Sequence, residues 1–280
     1  MRETDKTKRR GYLVDDDRLR VINDLEMRNP FLNIGLEEAI AKEVAEGKAL
    51  PTIRFWRNNH SAIIGRSQEA GAELNLSRCR EDGVSVVRRP TGGGTVLHHP
   101  GNLNYSIYLP ESTSDPVKEE SVKLSRPVAR VIQDLGFEPE VRPNGLFIED
   151  TKIGGTAQSR RWGLLHHGTL LVKGDGIMDS MDLFLRARQD SYSKTKVQLP
   201  SKPAKVGSLN SLLGDKLELP DLLELLQGRI ADWLKKTPVS GSITEGEWNF
   251  ATALADEKYS VPGWTFRFHE ERNESKKINS

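Results

Sequence analysis

Cysteine is nearly missing: Cys79 is the one thiol in 280 residues. A single cysteine closes no intramolecular disulfide and builds no CxxC metal cluster, a usage that fits a reducing cytosol. It also excludes dithiol redox chemistry by the chain alone. Net charge is nearly missing too, with 41 Lys+Arg against 40 Asp+Glu. Such a chain has no global field to draw it onto nucleic acid or anionic lipid, so neither is expected as a partner. Any anion it binds is held by a local site. No run of about 18 apolar residues occurs, so no membrane-spanning helix is expected. The charged N-terminus MRETDKTKRRGYLVDDDRLR lacks the apolar core of a signal peptide, and the expected location is cytoplasmic.

At about 100–200 residues per domain the length fits one large domain with small appendages. Residues 1–19 are expected as a mobile extension and 269–280 as a charged mobile tail, since both are poor in apolar side chains. Between them, Leu32, Leu36, Ile40 and Val44 recur at helical spacing and stop at Gly47. TIRFWR and SAIIGR, separated by Asn58, Asn59 and His60, read as a β-hairpin. LNLSRCREDG reads as a helix and VSVVRR as a strand. A helix is predicted over 117–135, with Val117, Val128, Val131, Ile132 and Leu135 as its apolar set. Short strands follow in GFEPEVR, NGLFIED, TKIGGTAQSRR and WGLLHHGTLLVK, and helices prevail from about residue 215. Strands gathered in the first two-thirds without strict β-α-β alternation predict an α+β fold, a mixed and largely antiparallel sheet flanked by helices.

The strongest local signal is RRPTGGGTVLHHPGNLNYS, residues 88–106. Gly92, Gly93 and Gly94 can bend through positive φ and bring backbone N–H groups onto an anion, and Arg89 can add a planar cationic fork. The competing reading is a glycine-rich hairpin with a solvated arginine pair. His98, Gly101 and Asn102 add polar groups on the strand leaving the turn. Neither the Walker pattern nor the GxGxxG fingerprint is present. In NGLFIEDTKIGGTAQ, Lys152 is followed by Gly154 and Gly155; it can bind a carboxylate or phosphate as a point charge, or stand as a solvated surface residue. His166 and His167 lie in an apolar strand with no carboxylate at ligand spacing, so they read as hydrogen-bonded core. Arg66 and Gln68 stand just past a strand. Of Glu37 and Glu38 on the first helix, one is expected solvated and one paired locally.

Taken in order, FLNIGLEEAI, AIIGRSQ, VVRRPTGGGTVLHHPGNLNYS, KIGGTAQ and LHHGTLLV closely resemble the lipoate-protein ligase family, whose catalytic domain belongs with the biotin ligases. The likeness covers roughly residues 20–260 and implies one catalytic domain of the biotin/lipoate-ligase type over residues 20–268, without the large accessory domain many members carry. It implies a two-step reaction in which lipoate and MgATP form lipoyl-adenylate, and a lysine of a lipoyl-domain acceptor then attacks it. Lys152 falls on the family's catalytic lysine and Arg89 on the arginine that meets nucleotide and acyl group. Gly92, Gly93, Gly94, Thr95, Val96 and Leu97 fall on the segment along the nucleotide, with Gly155 and Ala157 on the lysine strand. His98 is placed in the acyl-pocket wall, and Glu38, Arg66, Asn102, Asn144 and His167 in supporting positions.

Related transferases move octanoyl through a cysteine thioester without ATP, the cysteine standing before the NGLFI-like strand or within the lysine motif. Here those places hold VRPNGLFI and Lys152-Ile153-Gly154, which favours the ATP-dependent ligase. A non-catalytic lipoate-binding homologue is a third reading. It draws on two departures: Gly145 where ligases often carry an aspartate that can contact magnesium, and Glu69 where asparagine is common. The resemblance implies a glycine-cleavage H protein, an E2 subunit or a dedicated lipoate-binding protein as acceptor, and allows a separate small accessory subunit. Arg160, Arg161, Lys194 and Lys196 are candidates for a basic rim that steers an acidic acceptor.

Overall fold

Asn59 and His60 both keep negative φ, so the short link they form cannot make the primed turn that closes a two-residue hairpin. This divides the molecule into two sheets. In the computed structural model, which describes residues 17–111, 113–174, 177–185, 201, 204–214 and 217–268, β2 (Thr52–Asn58) pairs with β1 (Arg18–Arg28) and β6 (Asn102–Leu109). The strand after the bend, β3 (Ser61–Ile64), pairs instead with β4 (Ser85–Arg88) and β5 (Val96–His98) in a separate sheet. The expected TIRFWR–SAIIGR hairpin is therefore corrected to two strands of different sheets.

Between these strands lie α1 (Pro30–Ala45), α2 (Ala70–Glu73) and α3 (Leu76–Glu81). After β6 come α4 (Val117–Asp134), β7 (Pro139–Arg142), β8 (Gly145–Ile148), β9 (Thr151–Ser159), β10 (Leu164–Leu171) and α5 (Ile177–Phe184). The last third supplies β11 (Lys205–Val206), α6 (Leu209–Leu213), α7 (Leu219–Leu234), β12 (Thr237–Ser240), α8 (Glu245–Leu254), a π-helical turn (Ala255–Tyr259) and α9 (Pro262–Thr265). The main sheet runs β12-β1-β2-β6-β10-β9-β8-β7, with β11 added to β9. It is parallel only at β12–β1, β1–β2 and β11–β9, so the α+β, largely antiparallel expectation holds.

Two boundaries move. β1 starts at Arg18 with Leu19 fully buried, so the ordered strand begins inside the segment expected to be mobile. Strand β12 interrupts the stretch read as helical, because Thr237–Ser240 pairs in register with Arg18–Val21. Residues 1–16 and the tail from His269 lie outside the described residues. No described helix is long and apolar enough to cross a membrane.

Strand alternation gives the main sheet two unlike faces. One is apolar: Phe55, Tyr105, Ile107 and Leu170 pack against Val128, Val131 and Ile132 of α4 and Leu222, Leu226 and Ile230 of α7. Val117, placed in the same apolar set from sequence, is instead 51 % exposed. The other face carries Arg54, Asn58, Asn102, Asn104, Ser106 and His167, all buried. It lies beneath α1, whose apolar stripe is one side of a helix that also buries Asn33, Glu37 and Glu38.

Gly35 brings α1 against α8: a Cβ there would stand 2.5 Å from the Ala251 carbonyl oxygen. Backbone cannot yield as a flexible side chain does, so Gly35→Ala should separate the helices and lower stability by about 1–3 kcal/mol. A lowered urea midpoint at unchanged slope would register this.

Candidate active site

The polar face of the main sheet, the glycine turn and the lysine strand enclose a cavity of about 710 Å³. Its apolar lining draws on two separate clusters, one with Ile34, Trp56 and Ile63 and one with Leu97, Leu171 and Met181. Arg89, Lys152, His98, Asn102 and His167 supply polar lining. Buried oxygens of three lining residues, Asn102 Oδ1, Thr156 Oγ1 and Gln158 Oε1, have no hydrogen-bond partner among the described residues. Buried polar atoms left in this way are available to a ligand.

The arginine pair is buried, contrary to a solvated pair. Successive residues at the end of β4 point to opposite sides. Arg88 donates to the carbonyls of Gly65 (2.9 Å) and Gln68 (2.5 Å) on one hand and Thr265 (2.5 Å) on the other, tying the loop after β3 to α9. Arg89 donates through Nη1 to Ile63 O (3.0 Å), through Nη2 to Gly92 O (2.5 Å) and Gly94 O (2.7 Å), and through Nε to Thr91 Oγ1 (2.9 Å). The fork expected to grip an anion thus shapes the glycine turn, and it delivers its charge without its donors. Gly93 at φ +86° makes the bend. No described carboxylate lies within ion-pair distance of Arg89. Burial brings its pKa down to about 10, so it stays charged at neutral pH.

Lys152 stands on β9, with β8 across from it. A bulge between Leu146 and Phe147 sets Phe147 opposite Lys152, and Lys152 Nζ lies 5.8 Å from the centre of that ring. Gly145, φ +150°, leaves the room: a Cβ there would overlap the Gly154 carbonyl and come within 2.9 Å of Lys152 Cε. This backbone excludes any side chain at 145, an aspartate included. Lys152 makes no ion pair or hydrogen bond among the described residues; burial first, and the Arg89 charge second, bring its pKa down to about 8. A buried and a half-buried cation face one cavity with no described carboxylate paired to either, an arrangement that can hold an anion.

His98 is held in one tautomer. Asn58 donates to its Nδ1 at 2.8 Å, so Nε2–H donates to Thr169 Oγ1 at 3.2 Å, which donates in turn to Asn104 Oδ1 at 2.7 Å. Burial, with the Arg89 charge adding, holds His98 down at about 3. His167 lines the cavity with Nε2 2.8 Å from Thr91 Oγ1 and Nδ1 2.5 Å from Glu37. Thr95 N–H is met by Ser201 Oγ at 2.9 Å, and its hydroxyl donates to Gln68 at 3.0 Å.

The glycine turn, Thr95 to His98, Asn102, Asn144, Lys152, Gly155, Ala157 and His167 therefore meet around one cavity. Glu38 and Arg66 do not line it. Glu38, 7 % exposed, pairs with Lys258 (2.5 Å) and Tyr259 of the π-helical turn, and Arg66 is exposed. Neither Glu37 nor Glu38 is solvated. Arg160 is engaged with Glu120 (2.7 Å), and Lys194 and Lys196 lie outside the described residues. Glu69 caps α2, accepting from Gly71 N at 2.8 Å. Glu37 and Thr91 escaped sequence reasoning. A signal for Glu37 existed: Asn102, Asn104, Ser106 and Tyr108 alternate along one face of an apolar strand, and a buried polar row needs a partner.

A family profile, the lipoyl protein ligase A/B catalytic domain, matches residues 29–231. Lipoate-protein ligase LplJ of Bacillus subtilis is 27% identical over 248 residues, 88% of this chain and 72% of that protein. Octanoyltransferase LipM of Lysinibacillus sphaericus is 27% identical over 268 residues, 85% of this chain and 95% of that protein. A bi-partite lipoate protein ligase of Thermoplasma acidophilum, described with its E2 lipoyl domain, superposes with a TM-score of 0.75 at 26% identity, covering 90% of this chain and 96% of that one. A lipoate-protein ligase A bound with ATP gives 0.74 at 25% identity, covering 90% and 98%.

Because Lys152 loses its charge as pH rises through about 8, affinity for a phosphate anion such as inorganic pyrophosphate should be highest near neutral pH and fall as pH passes through that value. Calorimetric titrations across that range should lose this fall in Lys152→Met, which binds more weakly throughout.

Proposed function

The chain belongs to the family of lipoyl protein ligase A/B catalytic domains, and from that premise we propose that it is an ATP-dependent lipoate-protein ligase. It is an enzyme of the lipoate ligase and transferase family, whose partners are lipoylated acceptor proteins. The family divides on how the acyl group is activated, and one observation favours ATP. The only thiol of the chain, Cys79, is absent from the cavity lining and lies 1 % exposed in the core beneath the small sheet. Burial pushes it up to about 11, whereas a thioester-forming cysteine needs accessible thiolate.

In this reading the two apolar clusters take the acyl chain and the adenine, and the cationic stretch takes the atoms that react. The lipoate carboxylate attacks the α-phosphorus of ATP, pyrophosphate leaves with the magnesium that accompanied ATP as substrate, and the mixed anhydride remains. Lys152 neutralises charge gathering on the α-phosphate and the acyl carbonyl as these bonds change. Arg89 adds positive potential from behind the turn, and the Gly93–Thr95 backbone lies along the phosphate. A lysine of a lipoyl domain then attacks the acyl carbon, forming the amide and releasing AMP. Neutral His98, locked by Asn58 and Thr169, holds the wall of the acyl end without adding charge.

Lipoate, MgATP and a lipoyl-domain acceptor should together give pyrophosphate and lipoylated acceptor. Lys152→Ala should cut pyrophosphate release by about 10²–10³-fold in a folded protein, and Cys79→Ala should leave the rate unchanged. Activity that ignores ATP, requires octanoyl-carrier protein and disappears with Cys79→Ala would establish the transferase instead.

A further inference from the structure

We infer that Glu37, His167 and Thr91 form a positioning relay that fixes Arg89, and through it the glycine turn, in the geometry that binds the reacting anion. Glu37 is completely buried in α1, yet its nearest cation, Arg54 Nη1, is 4.0 Å away. The carboxylate is held instead by neutral donors, Ser106 Oγ at 2.7 Å and Tyr108 OH at 2.5 Å, and by His167 Nδ1 at 2.5 Å. Burial works to raise its pKa, but the hydrogen bond from His167 leads the interactions that outweigh it and leave Glu37 lowered, hence ionised.

An ionised Glu37 can only accept, so His167 Nδ1 carries the proton. Thr91 Oγ1 already accepts from Arg89 Nε at 2.9 Å, and its own proton has one acceptor among the described residues, His167 Nε2 at 2.8 Å. Every link then has one direction: Arg89 donates to Thr91, Thr91 to His167, and His167 to Glu37. A buried cation and a buried anion are thus joined through aligned donors that polarise one another. At the far end Arg89 Nη2 holds the carbonyls of Gly92 and Gly94, and a Cβ at Gly93 would come within 3.0 Å of the same nitrogen. The relay locks α1, β10 and the turn after β4 into one register.

Neither Glu37 nor Thr91 lines the cavity; each acts through a neighbour, as the second layer around a preformed site does. Thr91→Val keeps the shape and removes the hydroxyl, while Thr91→Ser keeps the hydroxyl. The kinetic arm rests on the ligase reading: pyrophosphate release by Thr91→Val should drop at least tenfold in kcat with the KM for lipoate within about twofold, and Thr91→Ser should stay within about threefold of wild type. The spectroscopic arm does not rest on it. In ¹⁵N spectra His167 should carry its proton on Nδ1, and the Gly93 and Gly94 amide resonances should move in Thr91→Val and not in Thr91→Ser. A wild-type protein that releases no pyrophosphate but shows these shifts defeats the ligase reading and leaves the relay standing. A His167 proton on Nε2, or Gly93 and Gly94 resonances unmoved in Thr91→Val, overturns the relay whatever the activity.

Discussion

Two adjacent guanidinium groups, Arg88 and Arg89, are buried with no carboxylate at ion-pair distance among the described residues, and the site depends on how they are solvated. Leaving water costs a charged group several kcal/mol unless hydrogen bonds replace its hydration. Here main-chain carbonyls replace it: those of Gly65, Gln68 and Thr265 for Arg88, and those of Ile63, Gly92 and Gly94 for Arg89. Carbonyls can converge on a guanidinium only if the loops bearing them are bent accordingly. The arginines therefore dictate the path of three segments far apart in sequence, namely the loop after β3, the glycine turn and the end of helix α9. Arg89, which lines the cavity with its donors engaged and no described carboxylate at ion-pair distance, leaves positive potential there.

That potential explains the state of Lys152. A half-buried lysine would ordinarily seek a carboxylate, and among the described residues it has none; the space beside it comes from Gly145, Gly155 and the β8 bulge. The result is a cation destabilised by burial and by Arg89, whose energy falls when an anion arrives. Ground-state discomfort of this kind is consistent with a group that meets charge only when substrate is bound. The rigid polar face of the main sheet beneath it serves the same end, since Asn33, Asn58, His98, Thr169 and Asn104 form one chain of hydrogen bonds with assigned donors.

Ligase LplJ and octanoyltransferase LipM are each 27% identical to this chain over most of its length, so similarity to these two does not separate the two chemistries. The distinction lies in where one sulfur sits. A thiol packed among Ala62, Leu74 and Val84 is a small hydrophobe, and the cavity it would have to serve is lined by other residues.

Much of this protein was legible from its residues in order. The α+β class, most strand and helix positions, the glycine turn and the lysine strand followed from periodicity and turn chemistry, which act over a few residues. The cysteine count, and with it the exclusion of dithiol chemistry, needed no fold at all. What sequence misjudged were properties of partners distant in the chain: the hairpin that divided between two sheets, β12 added to β1, and Glu37 and Glu38 of α1, both buried. Side-chain roles were decided the same way. Arg89 reads as an anion clamp until the carbonyls that occupy its donors are brought beside it. Glu37 reads as one of two adjacent carboxylates, either solvated or paired locally, until β6 and β10 close over it. Local sequence sets backbone preference, but burial and hydrogen-bond pairing depend on what the tertiary structure packs against each group, and that decides whether a charge binds ligand or holds the site in shape.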